Sequence, residues 1–269
     1  AAPDLSDVLL SATTPDAIRP GMLRPGDRVE YELTITNKGD GAADELQLSI
    51  AAEALTYLRD FEIEGQQSET DGLGFNIGSA QLPVLSRLDA DGASIALSMQ
   101  ARVRQDAPQL AQIPMQVAVS AQNAPEPQRS RNATQNADDE PEATLLEVRY
   151  PEISISKALI DLNGPPTEPG DRLRFELQVN SDGQFPLEDV DVMDVVDDTF
   201  VPLPDSPAFP ADRTLRWHFA DVPVGGSESI AFEVDIPPTT PHRTFVHNEA
   251  EAVAVAVDSV DRKSTRPNS

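Results

Sequence analysis

The chain has 269 residues, which is enough for two domains of ordinary size, and 39% of them are hydrophobic, which lets each domain form a core. Its net charge of −26, from 46 acidic and 20 basic residues, repels nucleic-acid phosphates and anionic lipid headgroups, so we expect neither as a partner. The sequence has no cysteine and no run of about 18 apolar residues, which excludes disulfides and predicts no direct membrane insertion.

A repeat dominates the sequence, because residues 25–35 return in nearly the same form as residues 169–179. Each copy opens with a Pro-Gly-Asp turn, after which apolar and polar residues alternate, as in a β-strand with one face on a core. The glycine that closes the first copy, Gly39, returns at the same spacing as Gly183. This pattern predicts that one β-rich module has been duplicated.

In chain order, the pattern predicts a first module over residues 1–123 and a polar, acidic linker or long loop over 124–150. A second module follows over 151–260, and a flexible tail over 261–269. Short alternating runs separated by turns recur in both modules, and the 24 prolines favour short strands over helices. We therefore expect an all-β protein made of two tandem antiparallel β-sandwiches.

The second module carries motifs in a fixed order: Lys157 on the opening strand, the turn 169–171, the Val-x-Val-x-Asp strand 190–194, the run 215–217, and Asn248 in the last strand. These motifs resemble the conserved repeat known as domain of unknown function eleven, found in tandem in secreted and cell-surface proteins of bacteria and archaea. The first module lacks the lysine, the tryptophan and the closing asparagine, so it is the divergent copy. The resemblance implies two tandem immunoglobulin-like antiparallel β-sandwich domains at a cell surface.

Three polar residues of the second module, Lys157, Asp194 and Asn248, alternate in phase with the apolar residues of their strands and are predicted to point inward. One interpretation is a buried or edge ion pair between Lys157 and Asp194, with Asn248 capping backbone groups. The other is an intramolecular isopeptide bond between Lys157 and Asn248, formed by a desolvated lysine beside a protonated carboxyl group. In the first module the equivalents of Lys157 and Asp194 are Leu9 and Ile50, both apolar, so the polar residues behave as a set.

Two further groups are candidate sites. Asp89, Asp91, Asp197 and Asp198 lie in predicted turns and could ligate calcium, the one candidate cofactor, although they match no complete binding loop. The alternative is a solvated acidic surface that keeps the protein soluble. Asn132 begins an Asn-Ala-Thr triplet, which is an acceptor pattern for glycosylation.

The sequence contains no catalytic motif. His218, His242 and His247 are not spaced like zinc ligands, and neither a nucleophile elbow nor a phosphate-binding glycine loop occurs. Trp217 lies on an alternating strand and is expected in the core rather than on a sugar-binding platform. The sequence therefore predicts a protein that is not an enzyme.

The favoured function is that of an extracellular structural protein, a subunit of a cell-surface filament, sheath or matrix or a spacer in an adhesive stalk. Its terminal strands are candidate assembly strands, because such a strand can pair with the open sheet edge of a neighbour. The residues concerned are Leu5, Val8, Leu9, Val253, Val255 and Val257. The alternative is that each strand completes the sheet of its own module. The expected partners are copies of this chain or other cell-surface proteins.

The competing function is an adhesive or ligand-binding surface module, which recognises a glycan or a protein through the loops at one end of a sandwich. The aromatic content of 5% argues against sugar binding. The chain starts with Ala1-Ala2-Pro3, which is compatible with removal of a signal peptide, so we expect an extracellular or cell-surface location.

Overall fold

The computed structural model of the protein describes residues 1–67, 74–255, 257 and 261–265. Within these ranges the chain consists of β-strands, loops and two short 3-10 turns, which confirms the all-β class predicted from the sequence. The chain divides into two compact units, Ala1–Arg149 and Tyr150–Ser269. No helix in the described part of the chain is long and apolar enough to cross a membrane.

The first unit contains two principal sheets. Its strands are β1 (Asp7–Thr13), β2 (Arg28–Asn37), β3 (Ala43–Asp44), β4 (Gln47–Ile50), β5 (Leu58–Ile63), β6 (Gln66–Gln67), β7 (Phe75–Gly78), β8 (Arg87–Leu88), β9 (Ala93–Val103), β10 (Gln112–Met115), β11 (Val117–Ala121), β12 (Ala124–Arg129), β13 (Arg131–Asn132) and β14 (Thr144–Glu147), with 3-10 turns at Ala52–Leu55 and Pro83–Ser86. One principal sheet has the order β13-β1-β2-β9-β5-β6, the other the order β12-β11-β4-β7, and β10-β14 and β3-β8 form small two-stranded sheets. Buried residues alternate along β2, as a strand with one face on the core requires.

The second unit is a seven-stranded sandwich within the described residues. Its strands are β15 (Ile153–Asp161), β16 (Arg172–Ser181), β17 (Leu187–Val195), β18 (Thr214–Val222), β19 (Ser227–Asp235), β20 (Asn248–Val253) and β21 (Asp261–Thr265). They form the sheets β15-β16-β19 and β18-β17-β20-β21, in which all neighbours are antiparallel. Apolar residues from both sheets pack between them in two clusters, and Phe232 packs against both. The result is an immunoglobulin-like sandwich.

The two units share this topology. In the first unit, β1-β2-β9 have the same neighbour relations as β15-β16-β19, and β7-β4-β11-β12 the same as β18-β17-β20-β21. The repeat in the sequence therefore corresponds to a repeated arrangement of strands. The first unit differs by insertions, among them the hairpin of β5 and β6 at the edge next to β9.

The repeated Pro-Gly-Asp turn is held by its aspartate. Gly26 and Gly170 have φ angles of +90° and +101°, which glycine adopts without steric cost. The carboxylate of the following aspartate accepts a hydrogen bond from the backbone N–H three residues earlier, at 2.9 Å for Asp27 and 2.6 Å for Asp171. The motif is thus a turn that positions the start of the central strand, β2 or β16.

The repeated glycine after that strand has a different role, which is close backbone packing. A Cβ atom on Gly39 would lie 2.2 Å from the carbonyl oxygen of Ala2, and one on Gly183 would lie 2.4 Å from that of Tyr150. These distances are too short for any side chain. In each unit the glycine therefore lets the opening segment cross directly over the end of the central strand.

The segment 124–150, predicted as a linker or long loop, belongs to the first unit through Arg149. It contributes β12, β13 and β14, and its longest stretch outside a strand is residues 133–143. β12 pairs with β11 at a sheet edge, and β14 pairs with β10. β12 and β13 lie at sheet edges, where main-chain hydrogen bonds hold a strand that has few apolar side chains, so the polar sequence did not reveal them. The run 145–148, by contrast, has the pattern of a strand, and most of it lies in β14.

The predicted tail, 261–269, begins with a strand rather than a flexible segment. Its backbone over 261–265 forms β21, antiparallel to β20 at the edge of the second sheet. Residues 266–269 lie outside the described residues. The preceding strand, expected to continue to Val257, ends at Val253.

We expect Gly183→Ala to lower the free energy of unfolding of the second unit by about 3 kcal/mol, because the new methyl group must displace backbone atoms. Urea unfolding followed by the fluorescence of Trp217, the chain's one tryptophan, measures this change. Gly164→Ala is the control, since nothing lies within 4 Å of its Cβ and its φ of +95° alone should cost about 1 kcal/mol. Equal losses in the two variants would contradict the close-packing explanation.

Candidate functional site

Lys157 and Asp194 meet between the two sheets of the second unit. Lys157 lies on β15 in the first sheet, and Asp194 lies on β17 in the second. The Nζ atom of Lys157 is 2.5 Å from Oδ2 of Asp194, and both side chains are 0% exposed. Both point into the sandwich, which is the orientation that strand alternation predicted.

Asn248 completes this group, which we call the polar cluster: Lys157, Asp194 and Asn248. Asn248 begins β20, next to β17, is 1% exposed, and has its amide beside the Asp194 carboxyl group. Among the described residues, neither Nδ2 nor Oδ1 of Asn248 has a hydrogen-bond partner, and neither has Oδ1 of Asp194. Each unsatisfied buried polar atom costs about 1–3 kcal/mol, so the cluster is energetically unfavourable as three separate side chains.

An aromatic ring that belongs to a cluster of four lies beside the lysine amine. Its Nζ atom lies 5.0 Å from the centroid of the Phe175 ring. That ring stacks on Phe232 at 5.1 Å and meets Phe200 edge-on at 5.7 Å. Trp217 stacks on Phe232 at 5.8 Å, so it forms part of the wall of the core, as predicted, rather than a sugar-binding platform. Phe175 thus supplies one apolar wall beside the polar cluster, in which the Lys157 and Asp194 side chains are 0% exposed.

Burial shifts both titratable groups of the polar cluster toward their neutral forms. Burial lowers the pKa of Lys157, although attraction to Asp194 partly opposes this. Burial raises the pKa of Asp194, and here the charge and hydrogen bond of Lys157 and the nearby amide of Asn248 oppose the change. The environment therefore favours a neutral amine next to a protonated carboxyl group more than water does.

The strand register corrects the position that matches Lys157 in the first unit. Lys157 pairs with Leu177 on β16, whereas Leu33, the repeat of Leu177, pairs with Leu10. The counterpart is therefore Leu10 and not Leu9. The difference of one residue arises because the first unit has an extra residue between its opening proline and β1, which a constant sequence offset does not reveal.

The register also matches the other two positions of the polar cluster. Ile50 pairs with Val117 in the first unit, and Asp194 pairs with Ala250 in the second, so Val117 corresponds to Ala250. Two residues before Val117 is Met115, so Met115 corresponds to Asn248. Leu10, Ile50 and Met115 are each at most 2% exposed. The first unit thus fills with apolar side chains the three positions where the second unit has its polar cluster.

The candidate calcium ligands do not converge. Within the described ranges, no three histidine, aspartate or glutamate side chains come together in a way that could hold a metal ion. Asp89 accepts a hydrogen bond from Arg87, at 2.9 Å, and Asp91 lies in a turn with a φ of +60°. Asp198 is 96% exposed and lies 3.2 Å from Arg213.

Asp197 organises its own loop instead. Its Oδ1 atom accepts a hydrogen bond from the N–H of Thr199, and its Oδ2 atom accepts one from the N–H of His247, both at 2.8 Å. Burial by itself would raise the pKa of Asp197, but these backbone hydrogen bonds outweigh it and hold the pKa below its usual value. The carboxylate therefore ties two loops at one end of the sandwich.

The candidate glycosylation residue, Asn132, is half-buried on β13. Its Oδ1 atom accepts hydrogen bonds from the backbone N–H and the hydroxyl group of Thr134, at 3.0 Å and 2.9 Å. The triplet therefore forms a local turn at the end of an edge strand.

The candidate assembly strands complete their own sheets, as the alternative interpretation held. β1 is paired on both sides, with β2 and β13, and β20 lies between β17 and β21. Leu5 and Val8 are buried, and Leu9 is half-buried on the opposite face. Val253 ends β20, Val257 is half-buried beyond it, and Val255 is exposed with its N–H bonded to the Glu188 carbonyl oxygen.

Two surface clefts were not predicted from the sequence. In the first unit, a cleft of about 490 Å³ is lined by Glu30, Glu32, Glu62 and Glu64 among others. Glu62 accepts a hydrogen bond from Gln100, and Glu64 accepts one from the N–H of Ser98, so these acids serve local structure. Glutamates at outward-facing positions of β2 and β5 were the one feature of the sequence that could have indicated this acidic cleft.

The second cleft, of about 380 Å³, lies in the second unit at the end of the sandwich formed by loops 162–171 and 236–247. Phe245 lines this cleft and is 86% exposed, the largest exposure among the large apolar residues described. No periodic pattern marks a lone phenylalanine in a loop, which is why the sequence did not identify it.

We expect Asp197→Asn to lower the free energy of unfolding of the second unit by about 1 kcal/mol at pH 6, since the amide can replace only one of the two acceptor oxygens. Because the folded-state pKa is lowered, this contribution is present above the unfolded pKa and is lost as the pH falls through the folded value. The difference from the parent chain should therefore shrink below about pH 4. Urea unfolding at several pH values, with the exposed Asp198→Asn as control, tests this; a constant difference down to pH 2 would contradict it.

No family model matches the chain, and no curated protein matches it. Among solved structures, the C-terminal domain of the Streptococcus agalactiae AgI/II polypeptide BspA has a TM-score of 0.49 at 10% identity, over 97% of this chain and 99% of that one. The CARDB domain of a Pyrococcus furiosus protein has a TM-score of 0.30 at 10% identity, over 44% of this chain and 96% of that one. At these scores and identities, the similarities assign neither a family nor a function to the chain.

Proposed function

We propose that the chain is a non-enzymatic structural module of an extracellular or cell-surface protein. The observation that carries this proposal is the closure of the polar cluster, whose lysine and aspartate side chains are 0% exposed. Groups sealed in this way cannot meet a diffusing substrate, so their chemistry acts on the fold itself. We therefore propose that the chain is a subunit or spacer of a filament, sheath, matrix or stalk, in which the sandwich supplies mechanical strength.

The surface of the protein suits this role. The net charge of −26 keeps neighbouring molecules apart except where their surfaces match. The resemblance of the second module to a surface repeat supports the same location. Cell-surface proteins are also exposed to proteases, and strands paired along both edges, as β1 and β20 are, offer them little free backbone.

Association with neighbouring molecules would use edges that the structure leaves open. Because β1 and β20 are interior, a filament would not need to exchange them. In the described second unit, β18 and β19 each end a sheet and present one free edge. We propose that contacts with further copies or with other surface proteins form there or through side-chain surfaces.

A second candidate function, recognition of a ligand by the loops, is favoured by Phe245. An apolar ring that is 86% exposed beside a cleft can stack on a sugar ring or pack against a peptide side chain. Arg243 and Glu168 also line the cleft and supply polar contacts. Under this function the sandwich is the rigid support and the loop end is the binding surface.

The structural proposal predicts that antibodies raised against the purified chain label the outside of intact source cells in immunogold electron microscopy. Regular labelled filaments or layers would identify the assembly that the chain serves. Cells labelled before and after permeabilisation provide the control for access. Labelling confined to permeabilised cells would overturn the proposed location and, with it, the structural function at the surface.

The ligand-binding candidate predicts that Phe245→Ser abolishes binding to glycan or peptide arrays, or weakens it at least tenfold, without changing the melting temperature. Val224→Ser is the matched control, because Val224 is 51% exposed in the turn between β18 and β19, at the opposite end of β19. If both variants bind as the parent chain does, or if the parent chain binds nothing on the arrays, this candidate is wrong.

A further inference from the structure

The polar cluster contains each group that amide formation between two side chains requires. The Nζ atom of Lys157 is a nucleophile when it is neutral, and the side chain of Asn248 is a carboxamide with an electrophilic Cγ. Asp194 stands between them, 2.5 Å from Nζ and beside the amide, where it can carry protons.

The surroundings favour the reactive protonation states. The three side chains are buried, and Phe175 lies 5.0 Å from Nζ. Burial lowers the pKa of Lys157 and raises the pKa of Asp194, so the site favours a free amine and a protonated acid. Exclusion of water also prevents competing hydrolysis of the amide.

The unsatisfied atoms indicate an incomplete arrangement. As separate residues, Asn248 leaves Nδ2 and Oδ1 without partners, and Asp194 leaves Oδ1 without one, among the residues described. An ion pair between Lys157 and Asp194 does not remedy this. A new amide between Lys157 and Asn248 would remove the orphaned NH2 group and give the protonated Asp194 a carbonyl oxygen to bond.

We propose that Lys157 and Asn248 are joined by an intramolecular isopeptide bond, with Asp194 as the acid-base group. The neutral Nζ attacks Cγ of Asn248, and the Asp194 hydroxyl group protonates the carbonyl oxygen as it becomes tetrahedral. The carboxylate then accepts the proton from Nζ and returns it to Nδ2. The carbonyl group then re-forms as the Cγ–Nδ2 bond breaks and ammonia leaves, and the proton on its oxygen returns to Asp194, which ends protonated as it began. The reaction exchanges one amide for another and needs no oxidant.

The bond would join the two sheets of the sandwich. Lys157 belongs to the sheet of β15, and Asn248 belongs to the sheet of β20. In other sandwiches a disulfide joins the two opposite sheets, and this chain has no cysteine. The first unit, which has Leu10, Ile50 and Met115 instead, has exchanged all three groups together, as expected of residues that share one reaction.

Intact-mass spectrometry of the full chain, denatured after purification, tests the bond. The expected mass is that of the sequence less one ammonia. Trypsin digestion then locates the loss, because it cannot cleave after an acylated Lys157. The expected product is peptide 150–172 linked to peptide 244–262. Fragmentation of this product also distinguishes the bond from ammonia loss at Asn163-Gly164, which would leave the two peptides separate.

Variants identify the residues that react. Lys157→Met and Asn248→Ala should show the full mass of their sequences, whereas Lys38→Met, at an exposed lysine of the first unit, should keep the loss of ammonia. Asp194→Asn should reduce the rate of bond formation about 100-fold or more, since it removes the proton carrier. Trp217 fluorescence and thermal melting show whether this nearly isosteric variant is folded.

A full sequence mass with cleavage after Lys157 in the parent chain would overturn the proposal. Bond formation at an undiminished rate in Asp194→Asn would overturn the role of Asp194. Neither result depends on where the protein is located, so the isopeptide bond and the proposed surface function can fail separately.

Discussion

Neither unit has a disulfide, so the residues that point inward must hold its two sheets together. In the first unit they do so by burying apolar surface. In the second unit, three of these positions are polar and sealed from water, and their free energy is high unless they satisfy one another. Burial beside the Phe175 ring shifts the pKa values of Lys157 and Asp194 toward their neutral forms, and the contact between the two side chains meets part of that requirement.

Much of this architecture could be predicted from local patterns. Alternation along 172–179 fixed which residues face the core, and the phases of Lys157, Asp194 and Asn248 placed them inside. The edge strands β12 and β13 could not be predicted, because main-chain pairing at an edge imposes little on side chains. The orphaned state of Asn248 could not be predicted either, since it depends on the distances between strands that are far apart in sequence.

The abundance of acidic residues misleads a search for sites in the sequence, because many of them serve the backbone. Asp27 and Asp171 hold the turns before the central strands, and Asp197 ties two loops. A carboxylate that accepts backbone N–H groups has fewer lone pairs for a cation. In the sequence these aspartates suggest calcium binding. In the structure their carboxylates accept hydrogen bonds from loop N–H groups that have no strand partner.

The different chemistry of the two cores bears on how a tandem repeat avoids misfolding. Duplicated sandwiches can exchange equivalent strands while they fold. Here an exchange of opening strands would put Leu10 against Asp194, leaving a buried acid without its amine, and would bury Lys157 among Ile50 and Met115. Both mispaired products are unfavourable. Divergence at a few interior positions therefore gives each opening strand a preference for its own half of the chain.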